Sequence, residues 1–279
     1  MNLQKKYNSL KQTLKDLGKV VIAYSGGVDS TFLLKVAVDT LGAENVVACI
    51  AGGPTLPKDQ YERAINTAND MGIKPLTVEP NELADEKFAA NKADRCFHCK
   101  KHLFEVLGRI AKENNCNYII CGHNLDDNSD YRPGNRAIKQ FRVRCPLAEA
   151  DLTKNDIRQL SRKMNLPTAE LPASPCLASR INYGLEITPQ RLKQIDDAEE
   201  FLRSMGLVEF RVRHHDTVAR IEVHPQDMEK VTVEPNRSQI VEKLKSLGFA
   251  YVTVDLQGFR SGSLNESLSE QQRKKTLNL

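Results

Sequence analysis

Short runs of apolar, often β-branched residues alternate with longer segments of helical periodicity through residues 3–121. The short runs predict four buried strands, at residues 20–23, 46–50, 73–78 and 118–121. The longer segments, in which apolar residues recur every three or four positions, predict helices at residues 3–17, 31–41, 57–71 and 96–113. Strands that alternate with helices of this length are typical of βαβ crossovers, so we expect an α/β fold with a parallel sheet.

The pattern changes after the fourth predicted strand. Residues 126–140 are polar and predict mainly loop. Thr153, with Asp156 three positions later, predicts a capped helix that runs to about Met164. Beyond residue 187, helices at 189–206, 226–230 and 238–247 are mixed with strands at 208–213, 218–223 and 251–254. We therefore expect two domains, a parallel-sheet domain at residues 1–186 and a smaller α+β domain at residues 187–279.

The composition narrows the range of functions. The chain of 279 residues is 40% apolar, yet it has no apolar run of membrane-spanning length and no apolar segment behind its charged start. We therefore expect a cytoplasmic protein without a membrane partner. A net charge of +4 is mild, which argues against a polyanion such as tRNA as the partner. The seven cysteines form an odd number, which argues against a disulfide framework and favours thiols.

One segment is typical of a phosphate-binding loop. The sequence Ser25-Gly26-Gly27-Val28-Asp29-Ser30 stands between the first predicted strand and the helix that follows it. The two glycines let the backbone approach a ligand closely, and the helix directs its first N–H groups and positive dipole end at the loop. No Gly-Lys-Ser/Thr closes the segment, so it is not a Walker A motif. A plain capped turn is the alternative, but the context of strand, loop and helix favours a phosphate site.

A second polar segment, residues 122–127, follows the fourth predicted strand. It lies at the carboxyl edge of the predicted sheet, where α/β folds bind ligands. Its two carboxylates, Asp126 and Asp127, could hold a magnesium ion or position a nucleophile. A solvated acidic loop is the alternative, but the presence of the phosphate loop on the same sheet favours a functional role.

Three cysteines stand apart from the others. Cys96 and Cys99 form a Cys-x-x-Cys pair near a helix start, where both sulfurs share one face and the helix dipole favours thiolates. Cys176 lies on a proline-rich segment. Three interpretations stay open: a redox pair, a zinc site with Cys176 and either His98 or His102, and an iron–sulfur cluster with Cys176 as the third ligand. We expect the remaining cysteines to be structural: Cys49, Cys116, Cys121 and Cys145.

Several motifs resemble known proteins. The phosphate loop resembles the PP-loop of the PP-loop ATPase superfamily. Four later segments resemble the LarE family of ATP-dependent sulfur transferases: Asp130-Tyr131-Arg132-Pro133-Gly134, residues 175–184, Phe210-Arg211-Val212-Arg213 and Gly258-Phe259-Arg260-Ser261-Gly262. This resemblance implies that ATP and Mg²⁺ adenylylate a carboxylate of pyridinium-3,5-dicarboxylate mononucleotide, which then becomes a thiocarboxylate in synthesis of the nickel-pincer nucleotide cofactor.

The resemblance also implies roles for individual residues. It assigns ATP binding to Ser25, Gly26, Gly27, Asp29, Ser30 and Gly122, and catalytic roles to Asp29, Asp127 and Cys176. Arg211 and Arg213 match arginines that contact the phosphate of the nucleotide substrate. Ser179 and Arg180 are candidates for orienting the activated carboxylate. We expect the adjacent acids Glu199 and Glu200, on the preceding predicted helix, to face solvent.

The sulfur chemistry depends on the three cysteines. Cys176 matches a cysteine that gives up its own sulfur in one branch of the family. Because Cys96 and Cys99 are present as well, the chain resembles the three-cysteine branch, in which the equivalent thiols bind a 4Fe–4S cluster. The resemblance therefore implies a cluster as sulfur carrier, a sulfide or persulfide donor, and a homo-oligomer.

Three other functions remain as alternatives. A tRNA thiolase is similar in the segment at residues 122–127 and in the three-thiol pattern, but such enzymes usually have Lys where this chain has Val28. A non-catalytic, zinc-stabilised nucleotide-binding module would bind ATP without releasing pyrophosphate. An amidotransferase-type synthetase would need a glutaminase or an ammonia-channelling domain, which the sequence does not indicate.

Overall fold

The computed structural model describes residues 2–128, 133–260 and 262–278. The helices are α1 (Leu3–Leu17), α2 (Val28–Leu41), α3 (Lys58–Asp70), α4 (Glu86–Ala89), α5 (Arg95–Glu113), α6 (Asn135–Gln140), α7 (Pro146–Glu149), α8 (Lys154–Lys163), α9 (Pro189–Ser204), α10 (Met228–Thr232), α11 (Asn236–Ser246) and α12 (Glu270–Asn278). The strands are β1 (Val20–Tyr24), β2 (Val46–Ala51), β3 (Leu76–Val78), β4 (Tyr118–Cys121), β5 (Phe210–His215), β6 (Val218–Val223) and β7 (Tyr251–Val254).

The chain divides into two compact units that are each discontinuous in sequence. Unit 1 comprises Met1–Gly53, Lys58–Asn81 and Cys96–Ser174. Unit 2 comprises Pro54–Pro57, Glu82–Arg95 and Pro175–Leu279. The domain boundary expected near residue 187 stays a prediction. In the part of the chain that the structure describes, no helix is both long enough and apolar enough to cross a membrane.

Unit 1 is built on a four-stranded parallel sheet in the order β3-β2-β1-β4. Val20 of the central strand β1 pairs with Val46 on one side and with Tyr118 on the other. All residues of β1 except Ala23 are buried because helices cover both faces of a parallel sheet, which explains the unbroken apolar run. The expected α/β fold is confirmed. Since the strands are parallel, the segments after β1 and β4 leave the same edge of the sheet.

Unit 2 contains a smaller sheet of three strands in the order β5-β6-β7. The pair β5 and β6 is antiparallel, whereas β6 and β7 are parallel. Leu202 of α9 and Leu244 of α11 pack with Val212 and Ile221 of the sheet in one hydrophobic cluster. The strands predicted after residue 187 therefore form a second, mixed sheet, and the helices of that region pack against it.

Several predicted elements differ from the structure. The prediction that residues 126–140 are mainly loop is wrong at α6, which forms because Ala137 and Ile138 are buried in the unit 1 core. The third strand is shorter than predicted and begins at Leu76, after Pro75, which has no N–H to donate to a sheet. Helix α12 was not predicted. Of the quoted motifs, Asp130, Tyr131, Arg132 and Ser261 lie outside the described residues.

Candidate active site

The phosphate loop folds around the hydroxyl of Ser30. This hydroxyl donates to the carbonyl of Gly27 at 3.2 Å and accepts from the backbone N–H of Ser25 at 3.2 Å. The Ser25 hydroxyl lies 3.0 Å from it and is the donor of that pair, because the single Ser30 proton is already used. Gly26 has a φ of +71°, and a Cβ there would lie 2.3 Å from the Cβ of Ala64. The loop conformation therefore requires glycine at position 26.

Helix α2 begins inside this loop, three residues earlier than predicted. Gly27 is its N-cap and has no side chain to accept a hydrogen bond from the first turn. The first N–H groups of a helix have no partner inside the helix, so a glycine N-cap leaves them to a ligand. Together with the positive end of the helix dipole, they form a site suited to phosphate oxygens.

Asp29 stands at the start of α2 with its two oxygens in different surroundings. Its Oδ2 accepts from the Nζ of Lys154 at 2.6 Å. Its Oδ1 is buried and makes no hydrogen bond within the described residues. A buried carboxylate oxygen without a partner is costly, and a hard cation such as Mg²⁺ prefers this kind of ligand. Asp29 therefore fits the role of a magnesium ligand.

Sequence reasoning did not identify Lys154. The residue opens α8 directly after its N-cap, Thr153, and its backbone N–H donates to Asp126 at 2.8 Å. A cation is disfavoured in the first turn of a helix by the helix dipole, so a lysine at this position was a signal that could have been used. In the structure, Lys154 brings a positive charge to the phosphate loop.

The segment after β4 packs against the first turn of α2. A Cβ on Gly122 would lie 2.9 Å from the backbone nitrogen of Ser30, so only glycine fits there. Asp127 is 7% exposed, and its Oδ2 accepts from the backbone N–H of Asn124 at 3.1 Å and lies 3.7 Å from the Nδ1 of His123. The structure therefore places Gly122 beside the phosphate loop and engages Asp127 in bonds within its own segment.

The three singled-out cysteines are partly exposed thiols. Cys96 lies in the first turn of α5 and Cys99 at the start of the second, and both belong to unit 1. Cys176 belongs to unit 2 and directly precedes a 3₁₀ helix at Leu177–Arg180. Across the described ranges, no group of three or more His, Cys, Asp or Glu side chains could hold a metal ion. The structure therefore does not support an iron–sulfur or zinc site at these residues.

Arg180 and Glu199 form a buried ion pair in unit 2. The Nε and Nη2 of Arg180 each donate to one oxygen of Glu199 at 3.0 Å, and both side chains are at most 3% exposed. Burial alone would raise the pKa of Glu199, but the charge and hydrogen bonds of Arg180 and the N–H of Val212 outweigh it and lower that pKa. The expectation that Glu199 faces solvent is wrong. The helical pattern could not indicate its burial, because its partner Arg180 lies 19 residues away in sequence.

The same guanidinium holds the segment that carries Cys176. The Nη1 of Arg180 donates to the carbonyls of Pro175 and Cys176. The hydroxyl of Ser179 also donates to the Cys176 carbonyl, at 2.7 Å. Ser179 and Arg180 therefore hold the backbone around Cys176. The Arg180 guanidinium is already engaged by this backbone and by Glu199.

Two further arginines lie at alternate positions of β5. Arg213 donates to Glu222 at 2.8 Å, to Ser263 at 2.8 Å and to the carbonyl of Ser179 at 2.9 Å. Arg211 lies with its guanidinium carbon 5.0 Å from the ring centre of Phe259. Burial, followed by the positive charge of Arg180, lowers the pKa of Arg211 to about 10. An anion beside Arg211 would relieve this penalty.

The sequence is similar to several known proteins. Residues 2–115 match the sequence model of the NAD synthase family. The chain is 36% identical over 270 residues to the pyridinium-3,5-bisthiocarboxylic acid mononucleotide synthase of Lactiplantibacillus plantarum, with 97% of each chain covered. It is 41% identical over 268 residues to an uncharacterized protein of Synechocystis sp., covering 96% of this chain and all of that protein.

A third relative is an uncharacterized protein of Methanocaldococcus jannaschii, 32% identical over 260 residues and covering 91% of this chain and 95% of that protein. The three alignments thus cover nearly the whole length of this chain and of each relative. The chain therefore belongs to the LarE family, the family of the pyridinium-3,5-bisthiocarboxylic acid mononucleotide synthase.

Proposed function

We propose that the protein is an ATP-dependent sulfur transferase that converts a carboxylate of pyridinium-3,5-dicarboxylate mononucleotide into a thiocarboxylate, in synthesis of the nickel-pincer nucleotide cofactor. The observation that carries this proposal is the phosphate loop at the start of α2, in a chain that aligns over 97% of its length with the L. plantarum synthase. The name of that relative indicates the substrate class, a pyridinium mononucleotide.

The loop suits the pyrophosphate part of ATP. The first N–H groups of α2 and the hydroxyls of Ser25 and Ser30 are donors for phosphate oxygens, and Lys154 supplies a positive charge 2.6 Å from Asp29. These donors are fixed before the ligand arrives, so they stabilise the charge that develops on the leaving pyrophosphate without reorganisation. Asp29 would hold Mg²⁺ through its unpartnered Oδ1, and the ion would neutralise phosphate charge.

The reaction balances in two steps. A carboxylate oxygen of the substrate attacks the α-phosphorus of ATP, the bond to the β-phosphate oxygen breaks, and an acyl adenylate and pyrophosphate form. A sulfide sulfur then attacks the acyl carbon, the acyl–oxygen bond breaks, and AMP leaves with the electron pair. The products are a thiocarboxylate, AMP and pyrophosphate, with no net change in oxidation state.

Arg211 is the residue that best fits the anionic end of the substrate. Its guanidinium is buried, and burial with the positive charges of Arg180 and Arg213 lowers its pKa although Glu199 and Glu209 oppose this shift. A phosphate group of a nucleotide offers the charge and the planar pair of acceptors that a guanidinium prefers. Arg213 already donates to Glu222 and supports the strand beside it.

The identity of the sulfur carrier is a separate proposal. Its support is the resemblance together with the presence of Cys96, Cys99 and Cys176 in the sequence. The described residues do not themselves assemble a metal site. Anaerobic purification followed by iron and sulfide analysis tests it directly. About four irons per chain are expected for a 4Fe–4S cluster, and zinc alone after reconstitution with iron and sulfide would exclude the cluster.

The activity is tested by separating its two steps in one variant. Cys176→Ala is expected to abolish thiocarboxylate formation while pyrophosphate release from ATP and the dicarboxylate substrate persists. Cys116→Ala, at a buried thiol of unit 1, is the matched control and should retain both steps. Loss of both steps in a folded Cys176→Ala protein would contradict the assigned role of Cys176. Family membership does not favour the tRNA thiolase or the nucleotide-binding module.

A further inference from the structure

Cys121 and Cys145 form a close pair of thiols at the carboxyl edge of the unit 1 sheet. Their sulfurs lie 3.7 Å apart. Cys121 ends β4, and Ile120 pairs as an isolated parallel bridge with Arg144, the residue before Cys145. The backbone N–H of Cys121 donates to the carbonyl of Arg144 at 3.1 Å, which fixes the two chain segments side by side. A disulfide bond, about 2.05 Å long, needs only a small further approach.

The surroundings of this pair favour a thiolate. The S–H of Cys145 lowers the pKa of Cys121 to about 7 despite its burial; the charge of Lys100 and the backbone N–H of His123 act in the same direction, and the charge of Asp127 opposes them. The same hydrogen bond, followed by burial, raises the pKa of Cys145. Burial instead raises the pKa of Cys49, another buried thiol of unit 1, to about 12. The two thiols share a proton, so deprotonation belongs to the pair and either sulfur can carry the charge, and Cys145 is the more exposed residue of the two.

We propose that Cys121 and Cys145 are a redox-reactive dithiol that closes to a disulfide by exchange with a small disulfide, and that closure weakens nucleotide binding at the phosphate loop. One thiolate attacks the external disulfide, which forms a mixed disulfide and releases one thiolate of the reagent. The second cysteine attacks the mixed disulfide and releases the other. Two electrons pass from the two cysteines to the reagent, and the two cysteine protons pass to its thiolates or to solvent.

The link to the phosphate loop is direct packing. Gly122 follows Cys121, and a Cβ on Gly122 would lie 2.9 Å from the backbone nitrogen of Ser30. There is consequently no spare space between the end of β4 and the first turn of α2. A movement of Cys121 toward Cys145 shifts Gly122 relative to the N–H groups that bind phosphate. This second half of the inference rests on the proposed use of ATP.

The test is to treat the full chain with oxidised glutathione, alkylate the remaining thiols, digest and map the linked peptides by mass spectrometry. We expect a Cys121–Cys145 linkage, whose rate of formation rises with pH as the pair loses its shared proton. The linkage disappears in Cys145→Ser and in Cys145→Ala, and Cys116→Ser is the matched control that retains it. Separate alkylation of Cys121 and Cys145 after treatment, with the reagent consumed at other thiols, would overturn the inference.

The effect on the nucleotide is measured by titration calorimetry with ATP. Closure is expected to raise the Kd roughly ten-fold, a change of about 1.4 kcal/mol, and dithiothreitol should restore it. Treated Cys145→Ser protein should keep the Kd of the reduced chain. An unchanged Kd in a chain with the mapped disulfide would overturn the coupling. A reduced chain that binds no ATP would overturn the proposed function and the coupling, while the peptide map still decides whether the dithiol reacts.

Discussion

The phosphate loop of unit 1 and the arginine cluster of unit 2, formed by Arg180, Arg211 and Arg213, differ in how their charged groups are paired. At the loop, Asp29 keeps a buried oxygen without a hydrogen bond in the described chain, and α2 begins at a glycine that cannot cap it. In unit 2, Arg180 and Arg213 are saturated by Glu199 and Glu222. The loop resembles a site prepared for a ligand, whereas Arg180 and Arg213 belong to the internal structure of unit 2.

This comparison shows that residue type alone does not identify a binding residue. Ser179, Arg180, Arg211 and Arg213 were all candidates for substrate contacts on the basis of the family resemblance. Their assignment stays a prediction, but the structure separates them by what already surrounds each side chain. The following experiments test that separation, in order of decreasing expected effect.

The largest effect is expected at the buried ion pair. Arg180→Ala leaves the Glu199 carboxylate buried without its partner and should lower the free energy of unfolding by about 3–5 kcal/mol. Chemical denaturation measures this loss. Arg162→Ala removes an exposed pair with Glu170 and should leave the free energy of unfolding nearly unchanged, because solvent screens such a pair. Equal, small losses in both variants would mean that Arg180 is not a structural residue and is available to the substrate.

The second effect is expected in catalysis. Asp29→Asn removes the negative charge that would hold Mg²⁺ and should lower the rate of pyrophosphate release at least about a hundred-fold, with the fold retained. Asp39→Asn is the control on the same helix, because its exposed carboxylate forms an ion pair with the partly exposed Lys35. A steady-state pyrophosphate assay at several Mg²⁺ concentrations gives the comparison. An Asp29→Asn rate close to that of the Asp39 control would remove Asp29 from the site.

The third effect is expected at the remaining arginine of the cluster. Arg211→Gln should raise the KM for the nucleotide substrate roughly ten-fold and leave the KM for ATP unchanged, since the residue is assigned to the substrate phosphate. Arg203→Gln provides a control on α9, at an arginine near the ring of Phe210. A raised KM for ATP in Arg211→Gln, or an unchanged KM for the substrate, would show that its assignment is wrong.

The smallest effect is a pH dependence of stability. The pKa of Glu199 is lowered below its usual 4.5 in the folded chain, so its ionised form stabilises the fold at neutral pH. This contribution is complete above the pKa of the unfolded chain and is lost as the pH falls from about 4.5 through the folded value. Denaturation between pH 6 and pH 3 should therefore show a steeper loss for the wild type than for Glu199→Gln. Parallel curves would contradict the ion-pair account.

The elements and motifs that depend on local sequence were predictable. The apolar runs gave the positions of the four parallel strands, and the residues from Ser25 to Ser30 indicated the phosphate loop before its geometry was known. Local patterns also placed α8, because Thr153 and Asp156 form the predicted capping box. In these cases the controlling interactions lie within a few residues along the chain.

The contacts that define the site were not predictable in the same way. Lys154 reaches Asp29 across 125 positions, and Cys121 meets Cys145 only because the backbone at Arg144 pairs beside β4. Glu199 looked like a solvated helix residue because its partner Arg180 stands in a separate element, the 3₁₀ helix that follows Cys176. Such pairs depend on how elements pack, which hydrophobic periodicity does not encode.

One measurement tests the central claim most directly. The purified chain is incubated with ATP, Mg²⁺, sulfide and pyridinium-3,5-dicarboxylate mononucleotide, and the nucleotide product is analysed by mass spectrometry while AMP and pyrophosphate are quantified. The account predicts replacement of a carboxylate oxygen by sulfur, with one AMP and one pyrophosphate formed for each sulfur transferred. Release of AMP and pyrophosphate without sulfur in the nucleotide product, or hydrolysis of ATP to ADP, would contradict the proposed sulfur transfer.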